Sequence, residues 1–512
     1  MDRRQRSQQP ALKGSCSSTR VMDREDEALT PADVTPNAGQ RSSGGGSAVR
    51  KRKQLPKQQQ QPEDGCSELK ESSALSPEVA DWIKDCAREL KIRKDDRSRA
   101  AEVVNDFRDS LLKFLKSSTD QPFFQSAEFL NTGSYFEKVK IHSPDEFDMM
   151  LKLQAPARFQ TTMLDDGLFY RLDLLHPTRS PMKAFVLENE LTVSPSRILS
   201  EMYRLVRKFL KAYTAPDPRC CWEVNRKRPS SPAVTLSLRR TDGGGEELIS
   251  VDVVPALVVH STQGWPQAVR RGPNVDEWLG KKERQEIMNL PCIFVPKRLK
   301  GPNAKDTKES WRISFSLVEK EMIKNHGHTK TCCEANSKKC CRKQCLMLLK
   351  SLIEGLKQRF PEELEDLCSY HGKTAFLHTL SLRSTDAMWA PKQLPVCFLN
   401  LLETLEEFAR RRTLPHYFVP ECNLFSTRVF HRKSLDFLVS ALKQQRAEGL
   451  PLLKPPGPVS PLRPVSPMEE PSRRPPMAAA HDSHFTPTVK LVFALTLVLC
   501  VLYIIKVTAN VN

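Results

Sequence analysis

Apolar and polar positions change their rhythm along the chain. Through SPEVADWIKDCARELKIRKDDRSRAAEVVNDFRDSLLKFLKS, apolar residues recur at helical spacing: Val79, Trp82, Ile83, Cys86 and Leu90, then Ala101, Val104, Phe107, Leu111, Phe114 and Leu115. Ser76 can cap this segment, Pro77 suits a first helical turn, and Glu78 complements the helix dipole. The pattern predicts one long helix, or two that part near KIRKDD, with Lys91, Arg93, Lys94, Arg97 and Arg99 as a basic stripe at its middle. From about 127 to 260 the rhythm becomes strand-like, in VLENELTV, AVTLSL and LISVDVV, each bounded by Gly, Pro or Ser. From about 275 to 445 helical periodicity returns, in WLGKKERQEIM, SLVEKEMIKNH, CLMLLKSLIEGLKQRF and SLDFLVSALKQQ. A long helix, a sheet-rich lobe over 77–265 and a helical lobe over 266–445 are the expected order.

Both ends break the rhythm. Residues 1–76 are rich in Arg, Lys, Gln, Ser and Gly and have no period that could bury a face, so a disordered basic region is expected. Residues 446–488 read as a proline-rich extended linker. Leu491 to Ile505 is then a run of 15 residues without charge, flanked by Lys490 and Lys506. At roughly 1.5 Å per residue it spans about 22 Å, short of a roughly 30 Å hydrocarbon core. With the lysines snorkelling outward, 489–507 reads as a short tail anchor to an intracellular membrane.

Charge sharpens this picture. The net charge of +18 over 512 residues favours a polyanionic partner, nucleic acid or an anionic membrane surface, although a solvated basic surface has the same composition. The N-terminus lacks the apolar run of a signal peptide, so the 15 cysteines are expected in a reducing compartment, where clustered thiols are metal ligands before they are disulfides.

The candidate chemistry begins in GSYFEKVKIHSPDEFDMM, Gly133 to Met150. In a strand Glu146 and Asp148 project to one face while Phe147 and Met149 turn to the other. Two adjacent carboxylates repel unless a cation lies between them, and Mg²⁺ prefers such oxygens while keeping positions open for phosphate and water. Asp252 in LISVDVV is a lone acid in an apolar strand, costly unless coordinated. If its strand lies beside the first, three carboxylates converge on two metals that clamp an in-line phosphoryl displacement. Gly133-Ser134 is a small-residue turn whose N–H groups and hydroxyl can cradle a triphosphate. The chemistry is nucleotidyl transfer.

A second cluster, NHGHTKTCCEANSKKCCRKQC, places His326, His328, Cys332, Cys333, Cys340, Cys341 and Cys345 close together. One histidine with three thiolates makes a closed tetrahedral zinc site, structural because no position remains for water. Spacing does not choose among these residues. Lys330, Lys338, Lys339 and Lys343 interleave them, so a zinc-pinned loop displaying cations to phosphates is expected.

Taken together, NTGSYFEKVKIHSPDEFDMMLKL, RPSSPAVTLSL with ISVD, ESWRISFSLVEKEMIKNHG, KTCCE with KCCRKQC, and SYHGKTAFLHT closely resemble the vertebrate cyclic GMP-AMP synthases, cytosolic DNA sensors of the nucleotidyltransferase superfamily, over roughly residues 75–445. The Gly-Ser and Glu-x-Asp motif alone indicates only the superfamily; the His-x5-Cys-Cys-x6-Cys insertion is much narrower. The resemblance implies an α/β, bilobal nucleotidyltransferase fold, with a mixed β-sheet catalytic lobe on a long spine helix and a helical C-terminal lobe carrying the zinc loop. It implies Glu146, Asp148 and Asp252 as catalytic ligands of two Mg²⁺, with Mn²⁺ as a substitute, and His326, Cys332, Cys333 and Cys340 as ligands of one structural Zn²⁺. Thr132 and Ser134 would contact the nucleotides; Arg312, Ser314, Ser316 and Glu319 would face the guanine nucleotide; Lys350, Ser369 and Lys373 would hold ATP, with Tyr370 stacking on a base. Without the resemblance Tyr370 reads as an ordinary core aromatic.

The implied function is DNA-activated synthesis of 2′,3′-cyclic GMP-AMP from ATP and GTP, a second messenger of innate antiviral defence in cytosol and nucleus. Double-stranded DNA would bind without sequence preference, in a homodimeric 2:2 assembly, to Lys91, Arg93, Lys94, Lys320, Lys330 and Lys343, remodelling Tyr135 to Ser143 so that the acids align. Chromatin and, through the tail, a membrane complete the expected partners. Met347 stands where one member of the family, the human enzyme, carries a lysine, which bears on one DNA contact, and the family typically stops shortly after its last helix, whereas a linker and apolar segment follow here. Three other readings compete: a catalytically silent nucleic-acid or chromatin scaffold, which loss of an acid would favour; an oligoadenylate-type transferase, which would lack the zinc insertion; and a membrane-tethered adaptor, for which the tail is the whole case.

Overall fold

The computed structural model describes residues 75–454, apart from 156–157, 229–230, 243–244, 260–264, 300–308, 328–331 and 334–338. The N-terminal basic region up to 74, the part of the expected 446–488 linker beyond 454, the apolar tail segment, His328, Lys330 and Lys338 lie outside the described residues. The first residues of that expected linker are packed instead of extended: the last helix runs to Ala447, and Leu450 and Leu453 are fully buried, because their apolar side chains find the helical core. No described helix is long and apolar enough to cross a membrane.

The chain opens with helices α1 (Pro77–Glu89) and α2 (Lys94–Ser117), then β1 (Glu128–Asn131), a single turn of helix α3 (Gly133–Phe136) and β2 (Glu146–Gln154). There follow β3 (Phe159–Met163), β4 (Phe169–Leu174), α4 (Pro195–Leu210), β5 (Cys220–Val224), β6 (Val234–Arg240) and β7 (Glu247–Val259). Next come α5 (Lys281–Met288), β8 (Cys292–Pro296), β9 (Trp311–Ser314) and α6 (Ser316–Lys324). The C-terminal part is α7 (Arg342–Arg359), α8 (Ser369–Leu382), α9 (Leu394–Arg410), a small hairpin of β10 (Pro415–His416) and β11 (Val419–Asn423), and α10 (Arg432–Ala447).

The helical periodicity at the start resolves into two helices. Ser76 Oγ accepts from the Val79 N–H at 3.4 Å and starts α1. Leu90 and Ile92 are both buried between α1 and α2, a two-residue spacing that a continuous helix would send to different faces. Lys91, Arg93 and Lys94 consequently stand exposed at the break. On α2, Ala100, Val104, Phe107, Leu111 and Leu115 form the buried stripe, and the Phe107 ring lies 4.5 Å from that of Trp222 and 5.8 Å from that of Phe209 on α4. α1 sits elsewhere: it packs against α7 and α9, and Trp82 Nε1 donates to the Leu450 carbonyl at 3.1 Å. The first helix thus belongs with the helical part, although the sequence groups it with the sheet.

The sheet has nine strands in the order β1-β2-β7-β8-β9-β4-β3, with the β5-β6 hairpin joined to β7 through β6. β2 and β7 run parallel and the other paired neighbours antiparallel, so the sheet is mixed as expected. Its extent differs from the expected boundary at 265, because β8 and β9 come from beyond it. CIFVP of β8 is buried on both faces, so it lacks the period-two signal that marks a half-buried strand. Phe147, Met149, Leu151, Val251 and Val253 point into the main core, whereas Met150, Ala256 and Val258 form a smaller cluster on the opposite face with Ile293 and Val295. By strand alternation Glu146, Asp148 and Asp252 share that second face, where the sheet leaves the main core and fronts the cleft.

Candidate active site

Pairing of β2 with β7 decides the carboxylate geometry. The register sets Glu146 opposite Ser250 and Asp148 directly opposite Asp252. Parallel neighbours point their side chains to the same face with strands about 4.8 Å apart, so the three acids share one face at adjoining positions. β6 supports the far side: Thr235 lies opposite Asp252 and its Oγ1 donates to Asp252 Oδ1 at 2.6 Å. Crowding by the cleft walls, and then the negative charges of Glu146 and Asp252, push the Asp148 carboxyl up to about 6. Water reaches the residue, which stays exposed on the cleft side. Three mutually repelling carboxylates are the donor set of a hard divalent cation, and the residues fit that group.

Gly133 explains why the Gly-Ser turn stands where it does. Its φ is +83°, and a Cβ there would lie 2.7 Å from Asp148 Oδ2 and 2.9 Å from Asp148 Cβ. The turn therefore lies against the acids because one residue has no side chain.

Facing the acids is a cavity of about 970 Å³ between the sheet and the helical part. Among the sequence-predicted nucleotide contacts, Ser134, Arg312, Ser314, Ser316, Glu319, Lys350, Ser369, Tyr370 and Lys373 line it, with Glu146 and Asp148. Thr132 does not: it is buried behind the turn. Asp252 stands half-buried beside Asp148 rather than on the lining itself.

Lys140, Glu137 and His416 also line this cleft, and sequence reasoning missed all three. Lys140 Nζ binds Glu146 Oε2 at 2.9 Å and Asp145 Oδ1 at 3.2 Å. Burial works against its charge, but Glu146 and Asp145 outweigh that and raise its pKa. Glu137 is buried, and both its oxygens accept from Lys373 Nζ, at 2.8 and 3.0 Å; the same ammonium binds Glu319 Oε2 at 2.6 Å. The Glu137 carbonyl accepts from Lys343 Nζ and the Val139 carbonyl from Lys350 Nζ, each at 3.2 Å. Burial first, then the neighbouring Lys140, brings Lys350 down to about 8. The charge of Glu137 was visible in the chain, but its partner Lys373 lies on α8 and could not be read from spacing, whereas Lys140 pairs with the nearby Asp145 and Glu146.

The cysteine cluster assembles in part as expected. The ligand atoms of His326, Cys332, Cys333 and Cys340 all lie within 4.8 Å of one another. His326 Nδ1 contacts the Ile323 carbonyl at 2.8 Å, leaving Nε2 buried without a hydrogen-bond partner and aimed at the thiols. Burial, followed by the adjacent thiols, raises the Cys332 pKa, as thiolates crowded without a cation require. An orphaned imidazole nitrogen beside three sulfurs fits a tetrahedral zinc ion. Cys341 and Cys345 are fully buried and outside this set. Arg342, also fully buried, reaches Cys332 Sγ at 3.7 Å and Asp386 at 2.8 Å.

Of the expected DNA contacts, Lys91, Arg93 and Lys94 are exposed and Lys320 is partly so. Lys343 instead turns inward to the Glu137 carbonyl, and Met347 is buried in α7.

The chain also matches known proteins. Residues 135–325 match the Mab-21 protein nucleotidyltransferase domain and residues 341–444 the Mab-21 protein HhH/H2TH-like domain. The first match runs through β8 and β9, in line with the sheet. A cyclic GMP-AMP synthase of Mus musculus is 39% identical over 373 residues, covering 73% of this chain and 70% of the relative. One of Sus scrofa is 34% identical over 443 residues, covering 85% of this chain and 86% of the relative. A cyclic GMP-AMP synthase-like receptor of Magallana gigas is 26% identical over 69% of this chain and 56% of the relative. At 34–39% identity over most of its length and with both Mab-21 domains matched, the chain belongs to the cyclic GMP-AMP synthase family of Mab-21 nucleotidyltransferases.

Proposed function

We propose that this nucleotidyltransferase makes 2′,3′-cyclic GMP-AMP from ATP and GTP when double-stranded DNA binds it. The placement of Glu146, Asp148 and Asp252 on one face of paired strands, with Glu146 and Asp148 lining a cleft that also carries lysines, is the observation that carries the reading. Two Mg²⁺, or Mn²⁺, held by those acids would supply Lewis-acid stabilisation of the attacking and leaving oxygens. Ser134 and the turn N–H groups hold a triphosphate against the acids, and Lys350 and Lys373 neutralise its charge. Arg312, Ser314, Ser316 and Glu319 orient the guanine nucleotide, Ser369 borders the ATP side, and Tyr370 stacks on a base. Thr132, the buried residue just before the turn, is the one expected nucleotide contact that does not line the cleft. The GTP 2′-hydroxyl attacks the ATP α-phosphorus and pyrophosphate leaves; the AMP 3′-hydroxyl then attacks the GTP α-phosphorus, and a second pyrophosphate leaves as the ring closes.

The same geometry supports a DNA gate. The segment Glu137–Lys140 holds the cleft's charges in internal pairs: Lys140 on Glu146, and Glu137 on Lys373. Tyr135 connects this segment to the basic helix break, its hydroxyl donating to the Arg97 carbonyl at 3.2 Å. DNA on Lys91, Arg93, Lys94, Lys320 and Lys330, beside a zinc loop held by His326, Cys332, Cys333 and Cys340, would pull on that connection and release the lysines, Lys343 included. A 2:2 assembly on DNA, in cytosol or on nuclear chromatin, belongs to this reading. The test is to incubate the full chain with ATP, GTP and Mg²⁺, with and without long double-stranded DNA, and identify products by mass spectrometry. A cyclic GMP-AMP mass that appears only with DNA and disappears in Asp252→Asn is expected. No product in either condition would refute synthesis and leave a nucleic-acid-binding scaffold.

A further inference from the structure

One buried histidine in the cleft has no role in the reading above. His416, on β10, is 3% exposed and lines the cavity opposite the acids. Its Nδ1 accepts the Phe418 backbone N–H at 3.2 Å, which fixes the tautomer: the ring proton is on Nε2. Nε2 lies 2.9 Å from the Tyr370 hydroxyl, and that hydroxyl lies 3.1 Å from Glu319 Oε1. Proton order follows without ambiguity. The imidazole donates to the phenol oxygen, and the phenol donates to the carboxylate, which can only accept. Burial keeps the ring neutral, with a pKa of about 4, so the order holds across physiological pH. Phe315 and Phe418, with ring centroids 5.3 and 5.9 Å from the imidazole, hold it in place.

We infer that His416 is a positioning residue for the nucleotide base, acting through the Tyr370 hydroxyl to fix both the aromatic plane on which a base stacks and the direction of the Glu319 carboxylate. This rests on the reading of the cleft as the nucleotide site. A base stacks well only on a ring whose plane is held, and the phenol cannot turn while its oxygen is bonded on both sides. Removing the imidazole proton leaves the phenol oxygen one donor short and frees the ring to swing with Glu319.

The experiment uses the full chain with long double-stranded DNA and Mg²⁺, and measures kcat and the KM of ATP and of GTP separately. His416→Leu should raise at least one KM by about tenfold, equivalent to about 1.4 kcal/mol, while kcat stays within about twofold. His416→Gln, whose amide can still donate to the phenol, should recover most of that loss. In a Tyr370→Phe background His416→Leu should add less than about twofold, because the shared hydroxyl is already gone. A full tenfold effect in that background, or unchanged KM values in a stably folded His416→Leu, overturns the inference. Side-chain ¹⁵N shifts of the unmutated protein give a check that no misfolded variant can obscure: an Nδ1–H tautomer at His416 overturns it as well. If the unmutated chain neither binds nor turns over ATP and GTP, the reading of the cleft itself fails, a result distinct from normal turnover with indifferent His416 variants.

Discussion

Gly133→Ala is the sharpest perturbation the site offers, because its cost follows from two structural features. The first is the backbone: φ is +83°, where an L-residue with a Cβ is strained by roughly 1–2 kcal/mol. The second is the contact. The new methyl would lie 2.7 Å from Asp148 Oδ2 and 2.9 Å from Asp148 Cβ, whereas carbon atoms rest at about 3.5–4.0 Å. Something has to withdraw by close to 1 Å, and the nearest atoms belong to an acid whose position is the chemistry. A displacement of about 1 Å at a reacting centre lowers rates by about 100-fold. Product formation by Gly133→Ala, measured chromatographically at saturating ATP, GTP, Mg²⁺ and DNA, should therefore fall by about two orders of magnitude. The thermal midpoint should fall by only some degrees. DNA affinity, read by fluorescence anisotropy, should be unchanged, since the exposed lysines and arginine at the α1–α2 break are not touched. A variant that keeps its rate within about fivefold of the parent, or loses it only in proportion to lost folding or DNA binding, would refute the argument that this glycine sets the acids.

Asp148 holds its proton up to about pH 6, more tightly than an unfolded aspartate, so it adds stability at low pH and loses it as pH rises through that value. In chelator the melting temperature should fall between about pH 4 and about pH 6 and Mg²⁺ should flatten the fall; an equal slope in Asp148→Asn rejects the assignment. Glu137→Gln removes the carboxylate that Lys373 binds with both oxygens, so ATP binding without DNA should tighten by up to about tenfold; unchanged affinity by calorimetry means the pair does not hold the lysine back. Tyr135→Phe deletes the bond to the Arg97 carbonyl, worth about 1 kcal/mol, and should raise the DNA concentration for half-maximal activity about fivefold; no shift rules out coupling by this route. His326→Ala should lower the bound zinc found by elemental analysis together with the melting temperature, whereas undiminished zinc would exclude the cluster as its site.

Much of the site was legible one residue at a time. A carboxylate in an apolar strand, two more on one strand face and a histidine among cysteines are chemically conspicuous, because burying such groups is costly unless a cation compensates. Periodicity likewise located both helices at the start and the core strands that alternate. It failed at β8, where burial on both faces erases the alternation, and at α1, whose apolar stripe states that it packs but not on what. Only the fold decided that Asp148 lies opposite Asp252, since strand order and register are properties of the whole sheet. Only the fold brought Lys373 to Glu137, Lys350 to Val139 and His416 to Tyr370. Sequence by itself determined which chemistry the chain could perform, because side-chain type sets charge, ligation and the cost of burial. Tertiary structure decided which charges meet and which are held apart, because Coulomb and hydrogen-bond energies depend on distances between segments that sequence separation does not encode.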